Sequence, residues 1–271
     1  MLRMGVITMT LLARVALITG ASRGLGREIA RLYARRGARL VLVARGEAAL
    51  RDVAAELSGT TEVLPLAADV GEEAEHIAGT ALQRFGRVDV LINNASEIGP
   101  SPMPLLEVYP WDALLRVFRV NVVAPLHLTQ LLLPQMKTRH QGVIINVTSD
   151  AGVQAYPGWG GYGASKAALE HLSRVLAAEI ADSGVRLYVV DPGDMNTEMH
   201  RQAEPGVDLS HLPGPDVPAP AFLHLVEEET VSFGRFEALK IAGTRERGNA
   251  MLDPGSRIQD PRSRLSTSPS G

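Results

Sequence analysis

A doubly wound α/β domain, with one parallel sheet and helices on both faces, is the fold class the sequence predicts. Three observations carry that prediction. Short apolar, β-branched runs without polar alternation recur along the chain, the pattern of strands buried on both faces. Helix-length stretches separate them, so successive strands are joined by crossovers and lie parallel. The first run feeds straight into a glycine-rich turn that opens a helix.

In chain order, Val15–Thr19 is the first strand and meets Gly20. Arg27–Arg36 is the first helix and stops before Gly37. Leu40–Val43 and Val63–Ala68 are the next strands, with the helix Glu47–Leu57 between them. Helix Glu72–Phe85 and strand Val88–Ile92 follow. Trp111–Arg139 is one long helix that Pro125 should bend or interrupt. Val143–Val147 is a strand, and Gly163–Ser183 a helix whose apolar side includes Ala164, Ala167, Ala168, Leu172, Val175 and Leu176. Leu187–Val190 is the next strand; Pro218–Glu229 is a helix and Ser232–Ala238 a last edge strand.

Composition removes several classes of function. The chain of 271 residues has 27 Lys plus Arg against 30 Asp plus Glu, a net charge of −3. Nothing in that balance attracts nucleic acid or an anionic membrane. Hydrophobic residues at 45% and charged residues at 21% are an ordinary globular mixture. With no Cys there is no disulfide framework, cysteine-ligated metal or thiol nucleophile, and the seven His are scattered without metal-ligand spacing, so no metal is expected. No segment is expected to reach the roughly 18–20 apolar residues that cross a membrane. Residues 1–13 faintly imitate a signal peptide, but Arg14 interrupts the apolar run. Cleavage near Ala13 or Ala21 would also cut at or into the first strand. They are read as an N-terminal extension of a cytoplasmic protein, with translation starting at Met1, Met4 or Met9. Residues 14–243 form one domain without a composition break, and residues 244–271, rich in Ser, Pro, Arg and Gly, a flexible tail.

The turn Thr19-Gly20-Ala21-Ser22-Arg23-Gly24-Leu25-Gly26 has the spacing of a dinucleotide cradle. Gly20 permits the tight turn, Gly24 lets backbone approach a pyrophosphate, and Gly26 lets helix pack on strand. The helix N-terminus then faces the phosphates with free N–H groups. The second strand ends in Ala44-Arg45, so no carboxylate is present to hold an adenosine ribose. Arg45 can fork onto a 2′-phosphate and Arg23 can add a second cation, which favours NADP(H) over NAD(H).

The strand Val143–Val147 runs into Thr148-Ser149, and Tyr162 and Lys166 follow at helical i, i+4 spacing. A free phenol titrates near pH 10, and a neighbouring ammonium lowers that value. Tyr162 could then exchange a proton with a substrate oxygen held by Ser149. A Tyr-x-x-x-Lys pair alone is common; its weight comes from the strand-end Ser and the upstream glycine turn.

Together these residues resemble the short-chain dehydrogenase/reductase family over roughly Arg14 to Thr197, continuing more weakly to about Gly243. The glycine turn, Asp69-Val70, Asn93-Asn94-Ala95, Asn121, Ser149, Tyr162, Lys166 and Pro192-Gly193 with Thr197 occur in the family's order. The resemblance implies a single Rossmann-like domain and an oxidoreductase interconverting a carbonyl and an alcohol by hydride transfer. Tyr162 would be the general acid/base, Ser149 would place the reacting oxygen, and Lys166 would lower the Tyr162 pKa and bind the nicotinamide ribose. Asn121 would hold the long helix open and seat a water, or else satisfy local backbone. Asp69 and Val70 would contact adenine, Asn93 and Ala95 the adenosine ribose, and Pro192, Gly193 and Thr197 the nicotinamide end. It also implies a homodimer or homotetramer packed through the Trp111–Arg139 and Gly163–Ser183 helices.

Two departures stand out: Ser96 where the family usually has Gly, and Asp150 directly after Ser149, close to the site mouth or turned to solvent. Substrate choice falls to the segments Glu97–Leu106, Ala151–Gly161 and Met195–Ala221. They suggest a moderately apolar small-molecule carbonyl or alcohol. Trp159 is a site wall or a packing aromatic; Met199 and His200 are read as packing and surface residues. An isomerase, epimerase or dehydratase on the same fold stays open, as does a non-catalytic NADP(H) sensor, against which the intact Ser149, Tyr162 and Lys166 speak.

Overall fold

The computed structural model describes residues 9–243. Seven parallel strands form one sheet in the order β3-β2-β1-β4-β5-β6-β7. They are β1 (Val15–Thr19), β2 (Arg39–Ala44), β3 (Val63–Ala67), β4 (Val90–Asn93), β5 (Gly142–Val147), β6 (Val185–Asp191) and β7 (Phe233–Glu237). The helices are α1 (Gly24–Arg35), α2 (Glu47–Ser58), α3 (Ala74–Phe85), α4 (Trp111–Phe118), α5 (Ala124–Thr138), α6 (Gly160–Glu179), α7 (Glu198–Ala203) and α8 (Ala219–Glu227).

Strand periodicity divides the core into two layers. Ala16 and Ile18 of β1 face α1, α2 and α8, whereas Val15 and Leu17 face α3, α5 and the end of α6. Central register pairs Leu17 with Val41 on one side and with Leu91 on the other. The sequence changes direction between β1 and β4, and the crevice at their C-terminal ends is where open sheets of this kind bind ligands.

Several boundaries move. Helix α6 starts at Gly160, three residues before the sequence expectation, so Tyr162 lies in its first turn. Strand β6 extends to include Asp191. The long helix is interrupted just before Pro125, as expected, by a π-helical turn over Arg119–Val123. Proline has no N–H for the carbonyl of residue i−4, here Asn121, and its ring crowds that carbonyl. The ladder therefore widens just upstream, leaving Pro125 in the first turn of α5, where a missing N–H costs little. Trp111–Thr138, 28 residues, is also long and apolar enough by length and composition to cross a membrane, contrary to the sequence expectation. Within this fold 44% of its most apolar stretch is buried in the domain.

The domain also reaches further toward the N-terminus than Arg14. Met9 and Leu11 are buried in the core layer under α1 and α8. The Leu11 N–H donates to Glu227 Oε1 at 3.1 Å, and the Ala13 N–H to the Gly37 carbonyl at 2.9 Å. The expected tail, residues 244–271, and residues 1–8 of the expected extension lie outside the described residues.

At the N-terminal edge of the sheet Asp89 is fully buried. Its carboxylate accepts the Val15 N–H at 2.9 Å and Arg87 Nε at 2.9 Å, with Arg14 and Arg139 both at 3.7 Å. Removing one partner of such a cluster strands the others in low dielectric. Asp89→Ala is therefore expected to cost about 3–5 kcal/mol, read as a lowered urea midpoint at unchanged slope.

Candidate active site

The glycine turn lies at the β1/β4 crevice. Gly20 has φ +66°, and a Cβ there would meet Asn94 Nδ2 at 2.8 Å. A Cβ on Gly26 would stand 2.4 Å from the Gly20 carbonyl oxygen, so only glycine lets α1 approach this closely. Gly24, at φ +53°, faces open space in which a Cβ would reach only Thr197 Cγ2, at 3.9 Å. That is the shape of a cradle for a phosphate-bearing ligand: packed on two sides and open on the third. Leu25 is buried beneath it, while Ser22 is partly buried and Arg23 is exposed.

Asn94 and Thr19 lock this turn to β4. Asn94 Nδ2 donates to the Thr19 carbonyl at 2.9 Å, and Thr19 Oγ1 accepts the Asn94 and Ala95 N–H groups, each at 3.0 Å. Asn93, expected at the adenosine ribose, points its side chain elsewhere. It pairs in register with Asn146 and donates to Asn146 Oδ1 at 2.8 Å; Asn146 in turn donates to Ser173 on α6, also at 2.8 Å. The last residue of β4 thus falls on the interior face, and Asn93 is a buried strut between β4, β5 and α6. Of the other proposed contacts, Val70 is buried and Asp69 turns the chain by accepting the Gly71 N–H at 2.8 Å.

The arginines proposed for a 2′-phosphate both lie at the surface. Arg45 is 3.8 Å from Glu97 and Arg23 is 2.5 Å from Glu198.

Ser149, Tyr162 and Lys166 meet where β5 ends against the start of α6. Glycines permit that approach: a Cβ on Gly163 would be 2.5 Å from the Ala151 carbonyl oxygen. Ser149 Oγ accepts the Ala151 N–H at 3.2 Å and donates to Asp150 Oδ1 at 3.0 Å. Asp150 Oδ2 accepts from the exposed Tyr156 hydroxyl at 2.7 Å. Tyr162 and Lys166 are both buried, and Lys166 Nζ lies 5.3 Å from the Tyr162 ring centroid while donating to the Val147 carbonyl at 2.9 Å.

These environments modify the expected electrostatics. Burial, the largest influence, raises the Tyr162 phenol well above its ordinary value, and the nearby Asp191 and Asp150 charges add to that; the Ser96 and Ser149 hydroxyls oppose it. Burial lowers the Lys166 amine to about 7. The expected lowering of the Tyr162 pKa by Lys166 is therefore not realised in the chain by itself, because desolvating the phenolate outweighs the favourable contacts.

Asn121 sits in the π-helical turn, buried. Its Oδ1 accepts the Glu97 N–H at 2.8 Å and the Ser96 hydroxyl at 3.2 Å; its Nδ2 donates to the Glu97 carbonyl at 2.8 Å and Ser165 Oγ at 2.9 Å. It is a positioning residue that fixes the segment after β4. Ser96, the departure from the family pattern, is thereby brought beside Tyr162. The sequence flagged Ser96 without giving it that role.

A cavity opens in front of Tyr162; its lining includes the apolar Ile98, Trp159 and Met199, the polar Asp191, Asp194 and His200, and the segment Pro192, Gly193 and Thr197. Met199 and His200 both line this cavity; Met199 also packs against the Ile98, Ala151, Tyr162 and Ala203 cluster as expected, whereas His200, expected at the surface, is mostly buried. Helix α7 turns both inward, and Trp159 stands edge-on to His200 at 6.2 Å and to Tyr162 at 5.8 Å. Thr197 caps α7, accepting the His200 N–H at 3.3 Å. Gly193, at φ +75°, donates its N–H to Asp191 Oδ1 at 2.9 Å, beside the buried Pro192.

The model of the short chain dehydrogenase family matches residues 14–208. The chain is 34% identical over 225 residues to the uncharacterized oxidoreductase YciK of Escherichia coli strain K12, covering 80% of this chain and 87% of that protein. A short chain dehydrogenase of Escherichia coli CFT073 complexed with NADPH is similar at TM-score 0.76 and 31% identity, covering 84% of this chain and 98% of that one. A 3-ketoacyl-(acyl-carrier-protein) reductase of Brucella melitensis complexed with NADH is similar at TM-score 0.75 and 29% identity, covering 84% and 97%.

A buried amine destabilises the chain that carries it. Because burial lowers Lys166 from 10.5 to about 7, the unfolded chain binds a proton between those values that the native chain does not, and stability rises with pH across that window. Lys166→Met should stabilise the protein at pH 7 by about 2 kcal/mol, a rise of roughly 5 °C in Tm. The advantage over wild type should fade as pH approaches 10.5; differential scanning calorimetry across that range checks both.

Proposed function

Because the chain belongs to the short chain dehydrogenase family, we propose that it is an NADP(H)-dependent oxidoreductase that interconverts a carbonyl and an alcohol. The observation that carries this is a buried phenol, Tyr162, beside the Ser149 hydroxyl and with Lys166 Nζ 5.3 Å from its ring centroid. The cofactor, when bound, supplies or accepts the hydride. The chain's own residues handle the oxygen and its proton.

With its pKa raised by burial, Tyr162 is a protonated acid at neutral pH, fit to donate to a carbonyl oxygen. Ser149 stands ready to hold the same oxygen once its hydroxyl turns from Asp150. In the reverse direction Tyr162 has to give up its proton, and a charged Lys166 beside it favours the phenolate. An amine that titrates at about 7 is charged or neutral with little bias at physiological pH, so it can follow the phenol's charge.

Solved neighbours hold both NADPH and NADH, so the fold admits either cofactor. For this chain the choice rests on the end of β2, where Arg45 stands in place of an acid, and on the second cation, Arg23, in the glycine turn; both are exposed. The exposed Trp111 and Leu115 on the long helix are where a second copy would pack, in line with the expected dimer or tetramer.

Two outcomes test this reading. Tyr162→Phe should keep NADPH affinity within about twofold and lose about a thousandfold in kcat, measured by fluorescence titration and steady-state rates. Wild type should favour NADPH over NADH in kcat/KM, and Arg45→Asp should reduce that ratio by about tenfold or more; an unchanged ratio would remove Arg45 from cofactor selection.

A further inference from the structure

The cavity before Tyr162 is lined by apolar side chains and by the carboxylates of Asp191 and Asp194, and no Lys or Arg lines it among the described residues. We infer that its substrate is an uncharged carbonyl compound with an apolar or aromatic flank, and that the site rejects anionic carbonyl compounds such as keto acids and phosphorylated ketones. The inference rests on the carbonyl–alcohol reading above and narrows it.

The apolar lining is formed by Ile98, Trp159, Met199 and Ala203, with Ile98 and Ala203 themselves buried. Trp159 stands edge-on to Tyr162, so a flat group beside a carbonyl at Tyr162 meets the indole and a thioether, surfaces that bind apolar and aromatic groups.

The charged lining has one sign. Asp191 and Asp194 line the cavity, and Asp150 lies behind Ser149. Their fields converge: all three carboxylates raise the exposed Tyr156 phenol, although its hydrogen bond to Asp150 contributes most. Each nearby cation already has a partner. Lys166 Nζ is directed to the Val147 carbonyl at 2.9 Å. Arg235 is held by Glu170 at 3.0 Å and Asp191 at 3.5 Å. His200 Nε2 faces Glu204 at 3.4 Å, and its Nδ1 faces the Met195 carbonyl at 3.2 Å. Arg23 and Arg45 are the exposed cations proposed for the cofactor. Sites that take carboxylates or phosphates meet them with Arg or Lys donors. Here an anion would pass like charges and find no such donor, and a low-dielectric cleft magnifies that repulsion.

The test uses two ketones of nearly the same shape, 4-acetylbenzamide and 4-acetylbenzoate, with the full-length protein saturated with NADP⁺ so that binding is read without turnover. By calorimetry, the neutral amide should bind about tenfold or more tightly than the benzoate at about 0.01 M salt. The ratio should shrink at about 1 M salt, where screening is short-ranged, and also in Asp194→Asn. Equal affinity, tighter benzoate binding, a ratio unmoved by both salt and Asp194→Asn, or no binding of either ketone at millimolar concentration would each overturn the inference. Rates with NADPH are measured in parallel. Selective binding without turnover of either ketone would overturn the carbonyl–alcohol reading and leave charge selection standing. Turnover of both at equal kcat/KM would do the reverse.

Discussion

Lys166 carries an amine into the interior, where its Nζ reaches the Val147 carbonyl at 2.9 Å, and the rest of the site depends on that placement. Taking an ammonium out of water is costly unless it is paired with an opposite charge. Here its hydrogen-bond partner is a neutral carbonyl, so the amine titrates near neutrality. The same dry environment holds the phenol four residues earlier in its protonated form. Two groups that ordinarily titrate within a unit of each other near pH 10 are pushed in opposite directions by one cause, burial. Acid and base character therefore come from where α6 is packed.

What holds α6 in that position runs further along the same helical face. Tyr162, Lys166, Glu170 and Arg174 recur every four residues, and Glu170 is buried. Its carboxylate accepts from Thr148 Oγ1 at 2.8 Å, from Arg235 at 3.0 Å and from Arg174 at 3.2 Å. Thr148 immediately precedes Ser149, and Arg235 on β7 also reaches Asp191 at the end of β6. One carboxylate thus ties the strand end carrying Ser149 to the helix carrying Tyr162 and, through Arg235, to the turn at Pro192 and Gly193. A fully partnered buried network of this kind restrains its members more than exposed pairs do.

Much of this was legible in the sequence where one physical signal dominates. The strands Val15–Thr19 and Val143–Val147 are continuous apolar runs, and the structure places strands there. The Tyr162 and Lys166 spacing marks one helical face, and both residues lie on α6. Where tertiary contacts decide, the sequence was silent. The Trp159-Gly160-Gly161 stretch reads as loop because glycine disfavours helix, yet α6 begins at Gly160, and glycine is needed at 161 because a Cβ there would stand 2.4 Å from the Tyr109 ring. Asn93 was assigned to the crevice by motif position, but strand alternation turns it onto Asn146. Met9 and Leu11 looked like leader residues because their burial is against α1 and α8, elements distant in sequence. Met199 and His200 belong to a short helix whose inward face no local periodicity reveals.

The two kinds of charge in this site differ in how easily they change partners. Exposed ion pairs contribute about 0–1 kcal/mol, and Arg23–Glu198 and Arg45–Glu97 join side chains that are between 30% and 66% exposed. An incoming phosphate has little to displace at either arginine. The Glu170 cluster is the opposite case: its carboxylate is 4% exposed, and removing a partner would leave charge stranded out of water. Asn121 lies between these regimes, buried itself but holding the backbone of Glu97, whose side chain faces Arg45. The groups proposed to react are therefore fixed by buried contacts, while the two arginines proposed for the phosphate are held by contacts weak enough to exchange.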